Sequence, residues 1–178
     1  EMSKTPNKIL VIRMSALGDV AMVIPVLYPI CRSYPEKEFT LITSPLAAQL
    51  YIDCPQNLTV KAIDTKKEYK GIGGIFTLFR ELKKEKFDAV ADLHDVLRSK
   101  MLSLLFRFRA TRVATIDKGR KEKREITSEQ RRSFRQLKSS FQRYADVFDK
   151  LGLQTSQKFS PLAAPAILPD WLQRSKND

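Results

Sequence analysis

One histidine and two cysteines among 178 residues leave little room for metal or thiol chemistry. A zinc site built from Cys and His needs about four such ligands, whereas this chain has only His94, Cys31 and Cys54, without C-x-x-C spacing. The two thiols could form one disulfide, but a domain of this length can bury an adequate core, so reduced thiols are expected. Glycine is also scarce, at six residues. Neither G-x-G-x-x-G nor GK[ST] occurs, which removes the usual dinucleotide fingerprint and the phosphate loop of NTPases. Nor is there a run of roughly 18 uncharged apolar residues, so no transmembrane helix is expected. Lys4, Lys8 and Arg13 precede apolar residues in the manner of a signal peptide. However, Asp19 interrupts the stretch, Pro25 and Pro29 punctuate it, and no small-x-small cleavage site follows before PEKEF. A cytoplasmic protein is expected.

What the chain does have is positive charge, +12 in total, concentrated in one region. Between Arg98 and Arg143 there are 15 Lys and Arg against four Asp and Glu. Such a concentration implies an anionic partner. The tract from 118 to 132 has no aromatic side chain on which a base could stack, and no RNA-binding motif. An acidic glycan or lipid headgroup therefore suits it better than nucleic acid, although a solvated loop competes with either.

The apolar pattern alternates strands and helices. KILVIRM (8–14), FTLIT (39–43), LTVKAI (58–63), DAVADL (88–93) and RVATI (112–116) are short runs expected to be buried strands. A buried helix follows from Asp19, with Pro25 forcing a kink or restart. Ser44 and Pro45 open a short helix as N-cap and first residue. Residues 75–87 form an amphipathic helix with Ile75, Leu78, Phe79 and Leu82 on one face, after an EYKGIGG loop. RSKMLSLLFRF makes another helix, and 133–153 a long last one closed by Gly152. Residues 118–132 read as a mobile loop. The expected architecture is α/β, a doubly wound parallel sheet of the Rossmann-like kind, with ligands beyond the carboxyl ends of its strands. The tail from 156 has the proline content of a linker.

Asp19 lies at a strand-to-helix turn. It could accept a proton from a bound hydroxyl, or simply be a cap or first-turn acid favoured by the helix dipole. DLHDVLRS (92–99) puts two acids, His94, Arg98 and Ser99 on another such turn. Arg98 could grip a carboxylate or phosphate, or be solvated, and a lone loop histidine is more often incidental than catalytic.

KILVIRMSALGDVAMVIPVL resembles the opening of the glycosyltransferase family that contains the lipopolysaccharide heptosyltransferases (glycosyltransferase family 9). That opening is a strand, Lys/Arg-x-Ser-x-x-Gly-Asp, and an apolar helix with proline. FDAVADLHDVLRS, TRVATIDKGRKEKRE and QRYADVFDKLGL agree with the family in order and spacing, so the resemblance covers nearly the whole chain. It departs at KSSFQRY, where many members have a histidine before the arginine of the last helix.

The resemblance implies the N-terminal half of a GT-B enzyme, with two Rossmann-like domains facing across a cleft. Residues 1–155 would be the acceptor-binding domain and 156–178 the interdomain linker, and the C-terminal donor-binding domain would be absent from this chain. The implied activity is inverting transfer of a heptose from ADP-heptose to the inner core of lipopolysaccharide. Asp19 would be the general base, with Arg13, Ser15, Gly18, Arg98, Ser99, Lys118, Arg120 and Arg124 contacting the acceptor. The implied partners are a nucleotide-sugar donor and an anionic lipopolysaccharide core or lipid A-Kdo acceptor, met by a monomer at the cytoplasmic face of the inner membrane. No cofactor or metal is implied, and the isolated half is expected to be inactive. The competing reading is a non-catalytic Rossmann-like module that binds an anionic glycan, lipid or nucleic acid.

Overall fold

The computed structural model describes residues 5–118 and 140–154. Their elements are β1 (Lys8–Ile12), α1 (Leu17–Ala21), α2 (Ile24–Ser33), β2 (Glu38–Thr43), α3 (Pro45–Ala48), β3 (Leu58–Ala62), α4 (Gly71–Leu82), β4 (Ala89–Asp92), α5 (Leu97–Arg107), β5 (Arg112–Thr115) and α6 (Ser140–Lys150). A 3-10 turn, Lys83–Glu85, extends α4. The basic tract from 119 to 132, the start of the expected last helix and the tail from 155 lie outside the described residues.

The five strands are parallel, in the order β3-β2-β1-β4-β5. The chain moves outward from β1 to β3, then returns to lay β4 on the other side of β1. That reversal leaves a crevice at the carboxyl ends of β1 and β4, the usual ligand position in such sheets. Alternation along β1 sends Ile9 and Val11 to one face, against α1, α2 and α6, and Leu10 and Ile12 to the other, against α4 and α5. Both faces are covered, which is why the central strands β1, β2 and β4 are almost wholly buried, while the edge strands β3 and β5 stay partly exposed.

Proline explains the first crossover. α1 ends at Ala21, and α2 restarts at Ile24 with Pro25 in its first turn, where a missing N–H costs nothing. Ser44 caps α3 by accepting from the Ala47 N–H at 3.3 Å. Gly152, at φ +79°, closes α6.

Both ends of one helix differ from the expected 75–87: its regular turns stop at Leu82, and the 3-10 turn ends at Glu85 before Lys86 at φ +56°. α4 begins at Gly71 rather than Ile75, so the glycine-rich stretch is helix and not loop. The reason is close packing. A Cβ on Gly74 would stand 2.0 Å from the Tyr69 carbonyl carbon, so here glycine permits the helix to lie against the preceding loop.

Candidate active site

The first turn of α1 follows β1 directly and carries Asp19. Its carboxylate makes no capping bond; the N-cap position is Ala16, without a side-chain cap. Instead Asp19 Oδ2 pairs with the Arg13 guanidinium at 2.7 Å. Arg13 leaves the end of β1 and is itself buried. Its Nη1 donates to the Leu93 carbonyl at 2.8 Å, which fixes the guanidinium across the β1–β4 switch point. Asp19 remains 40% exposed, and among the described residues Oδ1 receives no hydrogen bond. The result is a carboxylate anchored through one oxygen and open through the other.

The backbone of α1 is held from two sides. Tyr144 of α6 donates to the Asp19 carbonyl at 3.2 Å, and Tyr51 to that of Val20 at 2.9 Å. Burial, with the Asp19 charge adding to it, pushes the Tyr144 phenol up to about 12, so it serves as a neutral donor at physiological pH. Burial likewise raises the Tyr51 phenol.

The β4–α5 loop forms the opposite side. Asp92 is fully buried and accepts from the amides of His94 and Asp95, both at 3.0 Å, and from the Ser103 hydroxyl at 3.3 Å. This turns the loop back over β1 and brings His94 to Met14 and Ser15. The Met14 N–H donates to His94 Nδ1 at 3.4 Å, which leaves the ring proton on Nε2, 3.4 Å from the Ser15 hydroxyl oxygen. Ser15 can therefore accept from His94 and present its own hydrogen to the crevice.

Burial, with the Arg13 and Lys118 charges adding to it, lowers the His94 pKa from its usual 6.5 to about 4. A neutral ring whose accepting nitrogen already faces a backbone amide is an orienting group, not a base. A lowered histidine pKa also makes the unfolded chain bind more protons than the folded one between those two values. Stability is therefore expected to fall as pH drops from about 6.5 towards 4, by up to ~1.4 kcal/mol per pH unit from this group. Denaturant melts of His94→Gln should lack that component, so the difference from wild type narrows as the pH falls.

The remaining sequence candidates divide. Gly18 is exposed beside Asp19, and a Cβ there would meet nothing within 4 Å, so packing does not demand glycine. Lys118 joins the crevice from the end of β5, its Nζ donating to the Asp95 carbonyl at 3.1 Å. Arg98 turns towards the β3–α4 loop, donating to the Tyr69 carbonyl at 3.0 Å. Ser99 is 1% exposed, and its hydroxyl bridges the N–H and carbonyl of Val96 at 3.0 and 3.1 Å. It shapes the start of α5. Arg120 and Arg124 lie outside the described residues. The sequence reading set His94 aside and missed Tyr144 and Tyr51, none of which carries a local signal. Among the described residues no group of three His, Cys, Asp or Glu is placed to hold a metal ion, and no helix is long and apolar enough to cross a membrane.

A parallel sheet of this order, with helices on both faces, is a Rossmann-like α/β domain. The fold matches a glycosyltransferase family 9 protein of Veillonella parvula with a TM-score of 0.60 and 21% identity, over 96% of this chain and 47% of that one. It matches the Escherichia coli heptosyltransferase WaaC in complex with ADP at a TM-score of 0.57 and 19% identity, over 88% of this chain and 50% of that one. In sequence, 102 residues are 31% identical to the lipopolysaccharide core heptosyltransferase OpsX of Haemophilus influenzae, covering 57% of this chain and 28% of that protein. No family model matches the chain. The chain thus spans about half the length of the solved structures it resembles, and its match covers just over a quarter of the curated relative.

Proposed function

We propose that the chain is the acceptor-side half of an inverting glycosyltransferase that moves a heptose from ADP-heptose to the inner core of lipopolysaccharide. The observation that carries this reading is the Arg13–Asp19 pair at the switch point, with one carboxylate oxygen open to the crevice. The heptosyltransferase relative and the WaaC structures, one with ADP and one with ADP-2-deoxy-2-fluoro heptose, support the choice of donor and acceptor.

In this reading residues 1–155 bind the acceptor, residues after 155 lead to a donor-binding domain, and ADP leaves from that second domain. Asp19 takes the proton of the attacking acceptor hydroxyl as that oxygen bonds to the anomeric carbon and ADP departs from the opposite face. A carboxylate is a weak base for an alcohol, so the proton moves late, once bonding has made the hydroxyl acidic. Arg13 holds the carboxylate in place and balances its charge. Ser15, oriented by His94, offers a hydrogen bond to the acceptor sugar, and the lack of a side chain at Gly18 keeps the approach open. Arg98 and Lys118, with Arg120 and Arg124, supply positive charge for the acidic sugars, and Ser99 sets the loop that carries Arg98. The acceptor is lipid-borne, so in this reading the protein works at the cytoplasmic face of the inner membrane, and we take it to do so as a monomer.

The test is transfer by the protein that carries this chain together with its donor-binding half, read as ADP release and as heptose gained by a lipid A-Kdo acceptor. Heptose gain with inverted anomeric configuration is expected. Acceptor binding without transfer from any nucleotide-sugar would instead favour a non-catalytic glycan-binding module.

A further inference from the structure

We propose that Tyr144 is a positioning residue for Asp19: its hydroxyl holds the short helix α1 where the carboxylate can meet the acceptor. The catalytic part of this rests on the reading of Asp19 as the base. α1 is five residues long, too short to fix its own geometry. Its neighbours therefore set where Asp19 stands.

The proline restart leaves one carbonyl of α1 without its helical donor. In a continuous helix the Asp19 carbonyl would accept from the N–H of Val23, four residues on. Pro25 offers no N–H to Ala21, and the helix breaks before it. The Val23 N–H turns instead to the Val20 carbonyl at 3.1 Å. Among the described residues the Asp19 carbonyl is left with the Tyr144 hydroxyl at 3.2 Å, from a residue 125 positions away. The Val20 carbonyl keeps the Val23 amide in addition to the Tyr51 hydroxyl, so its tyrosine is the less critical of the two.

Packing does not account for this hydroxyl. Tyr144 is 2% exposed within the core beside α1 and α2, where phenylalanine would fill the same space. A buried phenol is favourable only with an acceptor in reach. The charges of both Arg13 and Asp19 act on it, which sets it beside the pair. The support behind it is firm. α6 is tied to the end of β5 by Arg143, donating to the Asp117 carbonyl at 2.7 Å, and by Lys150, donating to that of Thr115 at 3.2 Å. Arg13 thus fixes the carboxylate through Oδ2, and Tyr144 fixes the backbone from which it projects. A reacting group displaced by about 1 Å can lose on the order of a hundredfold in rate, so both anchors bear on catalysis.

The test is transfer by the protein that carries both halves, with kcat expressed per folded molecule. Tyr144→Phe is expected to lower kcat about tenfold with KM near wild type. Tyr28→Phe is the control, because that buried tyrosine donates to the Ile52 carbonyl at 2.7 Å and not to α1. It should lower the melting temperature by a similar amount and leave kcat unchanged. In an Asp19→Asn background Tyr144→Phe should lower the residual rate no further, since a residue acting through the carboxylate has nothing left to position. Hydrogen exchange on the same protein should show the Val20, Ala21 and Met22 amides exchanging about tenfold faster in Tyr144→Phe. An unchanged kcat per folded molecule would overturn the proposal, as would an equal further loss in the Asp19→Asn background or unchanged exchange in α1. If the wild-type protein transfers no sugar, the reading of Asp19 as a base fails, and exchange decides the rest. Faster exchange in Tyr144→Phe then still upholds the hold on α1, and equal exchange overturns it.

Discussion

Asp19→Asn is expected to lower kcat by about a hundred- to ten-thousand-fold while leaving KM near the wild-type value. Asparagine matches aspartate in size, and its carbonyl oxygen can still face the Arg13 guanidinium, so the crevice keeps its shape. What disappears is the proton acceptor, and that loss is felt only as the hydroxyl attacks. Stability should fall by about 1–3 kcal/mol, because the buried Arg13 keeps a hydrogen-bond acceptor but loses its charged partner. The assay is steady-state transfer by the protein carrying both halves, with acceptor affinity measured separately. If kcat stays close to wild type, Asp19 is only the structural partner of Arg13. The base would then have to be sought elsewhere, and Asp95 is the nearer prospect, since His94 is neutral and already engaged.

Gly74→Ala is expected to destabilise the fold by about 3 kcal/mol, although alanine is the better helix former. The added Cβ would lie 2.0 Å from the carbonyl carbon of Tyr69 and 2.2 Å from its oxygen, so the loop and α4 must separate. That loop also receives Arg98, so the damage should reach the start of α5. Gly73→Ala, one residue earlier on the same helix, meets nothing within 4 Å. It should instead stabilise by about 0.5–1 kcal/mol, through helix propensity alone. Paired urea melts compare the two directly. Equal effects, in either direction, would show that the contact with Tyr69 does not govern this turn.

Strands, helices and their order were legible because each depends on patterns a few residues long. The β-branched runs at 8–14, 39–43 and 58–63, the proline restart at 25 and the serine–proline opening at 44–45 all appear in the structure within a few residues of their expected limits. α4 was the exception. Glycine reads locally as a loop former, whereas Gly74 is required by a neighbour in space, and only the packed structure distinguishes those two reasons. Asp19 and Arg13 could be singled out from the sequence, but not their pairing, and the local alternative of a capping acid could not be dismissed. The resemblance makes Ser99 an acceptor contact, whereas in the structure its hydroxyl bonds the backbone of Val96.

The sequence by itself determined the class of fold, the crossover connections, the scarcity of metal ligands and the excess of positive charge. These follow from composition and from periods of two and 3.6 residues, which are set by backbone geometry. The tertiary structure decided what the charged groups do. Register pairing Ile12 with Asp92 brings together residues 80 positions apart. Through it Arg13 reaches the Leu93 carbonyl, and His94 reaches Met14 and Ser15. It also decided which apolar face of α5 is used by the core and which is left outside, since both are apolar in sequence and only packing against the sheet separates them. Contacts of this range leave no local pattern, because they arise from the order of strands in the sheet rather than the order of residues in the chain.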